Sequence, residues 1–435
     1  MTLHRGALAA PGDGAANGTG PAPAPGPWLA RRLFPVLAAA VIVVTGMIST
    51  TLGPRLLGKT PWALPDDLWG TLVAASRLAH LHLSGLYTQP TGLVSFPGTA
   101  VIMIPAAAAA DAAGLSLHVQ DAQNPYPAVW LLAGPYQMVL SAVALFAADA
   151  IAEGMGVTRP RRLLLTAAGA VGVWNVSVRW GHPEDAVAVG LLMYGILALS
   201  RSHAGRSGWL TGAAVAVQPL VLLALPVVVA VIEPRRMPGF LARAAVPGAL
   251  LLGAALAANP QATFTAVTEQ PNSPVINHST LWTPLSPHLS DGTVAAGPAR
   301  VLAVLLACAC GVAVWRRRAA AREAAGWSPG AFSELLWWAA VALALRCAFE
   351  PVMVSYYLWP PVALALIAAS PAWPRLIPAA VAAVTLTLVS QLWWHGAWSW
   401  WVPMLAGLAL ALFLARPWPH PAAPAPRMNV GWDRL

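Results

Sequence analysis

The sequence predicts an all-α fold: a polytopic transmembrane helix bundle of about 10–12 membrane helices, with short outer-surface helices in the first extracytoplasmic loop. Three observations carry this. Of 435 residues 58% are hydrophobic and only 9% are charged, where a soluble domain carries about a quarter. The mean hydropathy is +0.64. Long segments are apolar on every side instead of along one stripe, as lipid exposure requires. A water-soluble globule is excluded, so chain length counts helices and not domains.

The formal charge of +9 does not point to nucleic acid, because the basic residues form short runs between apolar segments and no basic stripe interleaves with aromatics. They read as topology signals. Cys308, Cys310 and Cys347 all fall in apolar segments and make neither a disulfide framework nor a zinc site. No HExxH, DxD or GxGxxG sequence occurs, and no metal and no cofactor are expected.

Residues 1–30, rich in Gly, Ala and Pro with PAPAPGP at 21–27, read as a disordered cytoplasmic tail. A membrane domain over 31–415 follows, then a Pro-rich cytoplasmic tail over 416–435. Arg31 and Arg32 precede the first span, 33–52. Further spans are expected at about 127–151, 163–178, 185–200, 240–258, 299–315, 333–350, 352–369, 376–391 and 400–415. The positive-inside rule puts Arg159, Arg161 and Arg162 on the same side as Arg31 and Arg32. Two crossings already satisfy that parity, so 92–113, which contains Pro97, Pro105 and Asp111, is expected to be re-entrant or to lie on the outer surface. Segment 209–232 is flanked by Arg201/Arg206 and Arg235/Arg236, so it is expected to turn back at Gln218-Pro219. Only Arg55, Lys59, Arg77, Arg179, Arg300 and Arg346 then remain outside. Trp393, Trp394, Trp398, Trp400 and Trp401 read as an outer aromatic belt.

Acidic residues are scarce enough that their placement carries information. Asp66 and Asp67 follow the first span and either cap a short helix or share a site, where mutual repulsion would raise one of them. Arg179, His182, Glu184 and Asp185 crowd one short turn, which is costly at a membrane surface unless they pair or bind. Arg179 either pairs with Glu184 or Asp185, or meets a phosphate together with His182 while a carboxylate holds sugar hydroxyls or assists proton transfer. Arg346 and Glu350 have the i,i+4 spacing of an ion pair, with Tyr356 and Tyr357 following; Arg346 is also a second candidate for a lipid phosphate. His278 and His288 are weaker candidates. Asp111 and Asp149 read as helix-end or hydrogen-bonded carboxylates, or as proton relays.

The arrangement resembles the GT-C glycosyltransferases, and most closely the bacterial polyprenol-phosphate-mannose-dependent mannosyltransferases. The carrying segments are PDDLWGTLVAASRLAHLHLSGLYTQP (65–90), SFPGTAVIMIP (95–105), WGHPEDAVAVGLL (180–192), GWLTGAAVAVQPLVLLALP (208–226) and LRCAFEPVMVSYYLWPP (345–361). The resemblance implies a catalytic base at Asp66 or Asp67. It also implies a polyprenyl-phosphate sugar as donor, a glycolipid or glycan acceptor in the cell envelope, an extracytoplasmic active site and cytoplasmic termini. The family often has lysine before the proline of the re-entrant pair; here Gln218 stands there, so Arg179, His182 or Arg346 is expected to supply the missing cation. Substrate contacts are expected from Arg179, His182, Glu184, Asp185, Gln218, Arg346 and Tyr357. Membrane lipids are the other expected partners, and nucleic acid is not. A transporter or lipid-linked sugar flippase, and an inactive GT-C-like scaffold, are the competing functions.

Overall fold

The computed structural model describes residues 28–59, 61–88, 93, 95–119, 124–275, 277–321, 327–392 and 398–417. Both expected tails fall almost wholly outside these, as do Trp393 and Trp394. The fold is an all-α polytopic bundle. Its helices are α1 Leu33–Met47, α2 Asp67–Ala79, α3 Pro97–Ala112, α4 Trp130–Ser141, α5 Val143–Gly154, α6 Arg159–Trp174, α7 Pro183–Ser200 and α8 Ala204–Val217. They continue with α9 Leu225–Val229, α10 Met237–Ala258, α11 Pro260–Thr268, α12 Ala299–Ala321, α13 Pro329–Phe349, α14 Trp359–Ala369, α15 Trp373–Val389 and α16 Trp401–Ala415. A two-residue antiparallel pair, β1 His278–Ser279 with β2 Val352–Met353, is the one sheet among the described residues.

Among the described residues six helices are long and apolar enough to cross a membrane: Leu33–Leu56, Trp130–Gly154, Pro183–Ser200, Met237–Ala258, Ala299–Arg318 and Pro329–Phe349. Five apolar helices are shorter, among them Pro97–Ala112 and Trp373–Val389. Helix α7 is the axis of the bundle, with 83% of its residues buried, whereas an 18-residue stretch of α10 is 11% buried and α10 leaves Leu241, Leu250 and Leu256 exposed. That contrast is what a bundle in lipid requires, since apolar side chains there face neighbours or hydrocarbon at little difference in cost.

Buried charges fix one end of the bundle. Asp149 on α5 is wholly buried and accepts from Arg32 Nη1 at 2.8 Å and from Arg162 Nε and Nη2 at 2.7 and 2.6 Å. Glu153 pairs with Arg32 at 2.6 Å, and Arg162 also donates to the Arg31 carbonyl. The starts of α1 and α6 therefore share the end at which α5 finishes. At the other end Trp130 Nε1 donates to Thr50 Oγ1 at 3.0 Å, which joins the top of α1 to the start of α4. The chain runs up α1 and back down α4 and α5, so Arg31, Arg32 and Arg162 lie at one end of the bundle.

The segment around Gln218-Pro219 folds back. Helix α8 ends at Val217, Gln218 is extended (φ −144°, ψ 110°), and a short 3-10 turn over Pro219–Ala224 leads into α9. Proline has no N–H to continue the helix and disfavours helical geometry in the residue before it. Both basic flanks then meet, with Arg236 Nη1 donating to the Ser202 carbonyl at 3.2 Å. Tryptophans near residue 400 depart from an interfacial belt. Trp400 stacks on His278 at 3.9 Å, Trp401 Nε1 donates to the Cys347 carbonyl at 2.9 Å, and both rings are buried. They tie the long loop before α12 and the end of α13 to α16 instead of facing lipid.

Candidate functional site

At the end of the bundle opposite Asp149, the starts of α2, α3, α7 and α12 converge with the ends of α8 and α13. Gly181 is what lets them meet. Its φ of +68° suits glycine, and a Cβ there would lie 2.8 Å from Pro65, so any larger residue would push the Pro65-Asp66-Asp67 segment away. Gly98 does the same for α3: a Cβ would overlap the Ala216 carbonyl. Beside it Thr99 Oγ1 donates to the Val217 carbonyl at 2.7 Å, seating α3 on the break that exposes Gln218.

His182 precedes α7 and joins three elements. Its Nδ1 lies 2.6 Å from Glu184 Oε1, its Nε2 lies 3.0 Å from Asp67 Oδ2, and its ring stacks on Tyr356 at 4.2 Å. A carboxylate at each nitrogen can be satisfied only if both nitrogens carry protons. Burial opposes that charge, but Glu184 and Asp67 outweigh it and hold the imidazole well above its usual pKa. Burial likewise opposes ionisation of Asp67, yet the hydrogen bond and charge of His182 leave its carboxyl below the usual carboxylate range. Asp66 behaves oppositely: burial, then repulsion from Asp67, raises it. Its side chain makes no capping hydrogen bond to α2, so the helix-capping role is not used.

From His182 the contacts run on without interruption. Tyr356 meets Tyr357 edge-on at 4.9 Å, and the Arg346 guanidinium sits 3.6 Å above the Tyr357 ring, a cation–π contact worth about 1–2 kcal/mol when desolvated. Arg346 Nε donates to Glu350 Oε1 at 3.2 Å, the expected i,i+4 pair. Glu350 also accepts from Arg300 Nε at 2.9 and 3.1 Å, and the Arg300 guanidinium reaches Gln270 Oε1 at 3.4 Å. On the other flank Gln218 Nε2 donates to Asp185 Oδ1 at 2.8 Å. Arg346 Nη1, Glu184 Oε2 and Asp185 Oδ2 are buried without a hydrogen-bond partner. Such orphaned atoms are costly unless a ligand completes them.

A cavity of about 270 Å³ opens against this layer. Its polar lining is Ser95, Gln218, Gln270, Arg300, Arg346 and Glu350, and its apolar wall includes Leu220, Leu222, Leu223, Val267, Val304 and Phe349. Two guanidiniums at one end of an apolar slot are suited to a phosphate carried on a hydrocarbon chain. Among the described residues no three His, Cys, Asp or Glu side chains form a metal-holding group.

The structure brings together Asp67, His182, Glu184, Asp185, Gln218, Arg346 and Tyr357. Asp66 is adjacent and exposed. Arg179 is exposed at the end of the π turn Asn175–Arg179 and pairs with neither Glu184 nor Asp185, because Glu184 turns to His182 and Asp185 to Gln218. Arg300 and Gln270 join the site although sequence reasoning did not single them out; the available signal was that Arg300 is one of the few basic residues left outside. His278 belongs to the packing around Trp400, where burial lowers it to about 4. Asp111 accepts from Ser76 Oγ at 2.6 Å, far along α3 from the cavity. Compared with protein-family models and with curated proteins, the chain matches none.

Proposed function

We propose that the protein is an integral membrane glycosyltransferase that moves a sugar, mannose or another hexose or pentose, from a polyprenyl-phosphate donor to a cell-envelope acceptor. One observation supports this most: the carboxylate and imidazole layer of Asp67, His182, Glu184 and Asp185 is joined, through the hydrogen bond from Gln218 to Asp185, to an apolar cavity lined by Gln218 and two arginines. In this reading that end of the bundle is extracytoplasmic and the Asp149 end is cytoplasmic, with both termini on the cytoplasmic side.

The donor enters from the bilayer along the apolar wall and sets its phosphate against Arg346 and Arg300. These two cations take the place of the lysine that Gln218 replaces, and Gln218 instead orients Asp185. The free oxygens of Asp185 and Glu184 accept hydrogen bonds from sugar hydroxyls. An acceptor hydroxyl gives its proton to the Asp66 or Asp67 carboxylate as its oxygen bonds to the anomeric carbon. The bond from that carbon to the phosphate oxygen breaks, and the leaving polyprenyl phosphate keeps the electron pair. Phosphate is already a good leaving group, so charge stabilisation by arginine suffices and no second carboxylic acid is required across the bond.

The test is mass spectrometry of envelope glycolipids and glycans from a deletion strain carrying wild type or Asp66→Asn/Asp67→Asn. Loss of a glycoform that only wild type restores supports transfer and identifies the sugar. Equal restoration by both removes the carboxylate base, and with it this mechanism.

A further inference from the structure

The end of the bundle opposite the cavity carries a second concave feature that glycosyl transfer does not use. A groove of about 580 Å³ lies between the starts of α8 and α10 and is lined by Ser202, His203, Arg206, Trp209, Arg235, Arg236 and Arg243 among others. None of the lining residues is acidic. Its position at the Asp149 end follows from Arg201, which lies within electrostatic reach of Arg32, Arg206 and Glu153.

The groove is built by helix packing. Helices α8 and α10 run side by side in the same direction, and glycines permit the close approach: a Cβ on Gly208 would lie 2.8 Å from the Phe240 carbonyl and 3.0 Å from the Arg243 Cβ. Both helices therefore begin at the same place and turn their positive dipole ends toward it. Four arginines crowd the same opening. Among the described residues only Arg236 of the four has a carboxylate partner, Glu233 at 3.1 Å on the exposed surface, and Arg243 is turned toward the Gly239 carbonyl of its own helix at 2.8 Å. Self-repulsion of this kind is relieved by a bound anion.

The surroundings identify the kind of anion. Helix α10 rises from the groove with Leu241, Leu250 and Leu256 exposed, and Trp209 stands half exposed at the rim, the amphipathic ring expected where headgroups meet hydrocarbon. We infer that the groove seats the phosphate headgroup of an anionic phospholipid, with its acyl chains lying along the outward face of α10. Basic pockets between membrane helices bind anionic headgroups by this combination. The inference rests on the bundle crossing a membrane and not on glycosyl transfer.

The experiment is native mass spectrometry of the full chain released from nanodiscs that contain equal phosphatidylglycerol and phosphatidylcholine. Wild type is expected to retain phosphatidylglycerol, and Arg206→Gln/Arg243→Gln to retain about 25-fold less, since each arginine that meets the headgroup in the groove contributes about a factor of five. Arg159→Gln/Arg316→Gln removes the same charge from exposed positions elsewhere and is expected to match wild type. Should the double groove variant fold poorly, Arg206→Gln alone is expected to lose a smaller but measurable fraction. Equal retention by wild type and groove variants overturns the inference, as does equal loss in the charge-matched control. Displacement of the lipid by millimolar inorganic phosphate would assign the groove to free phosphate and also overturn it.

Discussion

Glu350 holds the two cavity arginines together, so Glu350→Gln perturbs the site at its charge balance. The carboxylate is buried and accepts three hydrogen bonds, one from Arg346 and two from Arg300. Arg346 is nearly as buried, with 11% of its side chain exposed, whereas Arg300 is 32% exposed. Glutamine keeps the shape but removes the charge and leaves the Arg346 guanidinium buried without its anion. Breaking a buried pair in this way costs about 3–5 kcal/mol. Tyr357 still covers one face of Arg346, and Arg300 recovers hydration, so the expected loss is about 3 kcal/mol. The assay is reversible unfolding in mixed micelles, compared with Glu334→Gln. Glu334 meets Arg317 at 2.7 Å, but both side chains are exposed, and that variant is expected to lose at most about 1 kcal/mol. Losses of equal size in the two variants would refute the argument that burial, and not distance, sets the strength of the Glu350 pair.

Asp149→Asn leaves Arg32 and Arg162 buried with too little negative charge and is expected to cost about 3–5 kcal/mol in the same unfolding assay, while any transfer activity per folded molecule is retained. Arg346→Gln is expected to abolish transfer, whereas exposed Arg179→Gln stays within about twofold of wild type, measured as product formed per unit time. The Asp67–His182 pair predicts a pH window. Asp67 is lower in the fold than its ordinary 3.8, so its stabilisation is complete above that value and is lost as pH falls through the depressed one. His182 is raised above its ordinary 6.5, so its share is complete below 6.5 and is lost as pH rises through the elevated value. Stability of wild type relative to His182→Asn should therefore hold a plateau between 3.8 and 6.5 and decline on both sides of it; a difference that stays constant through both flanks would contradict the pairing.

The helical class was legible because its apolar runs are long and continuous, where a membrane barrel would alternate apolar and polar residues, and such runs satisfy their backbone in lipid as helices. The turn at Gln218-Pro219 was legible for two reasons that coincide, basic flanks on both sides and a proline that interrupts the backbone ladder. Most of the site could be named from the scarcity of acidic residues. Its wiring could not. Glu184 lies beside Arg179 in sequence, yet it pairs with His182, because the π turn at the end of α6 turns Arg179 away and the positive φ of Gly181 swings the imidazole back. Arg300 meets Glu350 across fifty positions, a juxtaposition that no local pattern encodes. The same holds for Asp149, whose partners Arg32 and Arg162 stand 117 and 13 positions away. Trp400 and Trp401 were legible as membrane-level tryptophans and not as inward anchors, since composition places a ring near a span end without saying which way it faces.

The most direct measurement is cleavage of the donor itself. The purified chain in liposomes is given polyprenyl-phosphate sugars together with an envelope lipid extract, and the release of free polyprenyl phosphate is followed. Wild type is predicted to release it with one sugar class and to pass the label to an acceptor, and Asp66→Asn/Asp67→Asn to do neither. If the labelled donor crosses the bilayer intact, or if cleavage persists unchanged in the double variant, the transferase account is contradicted.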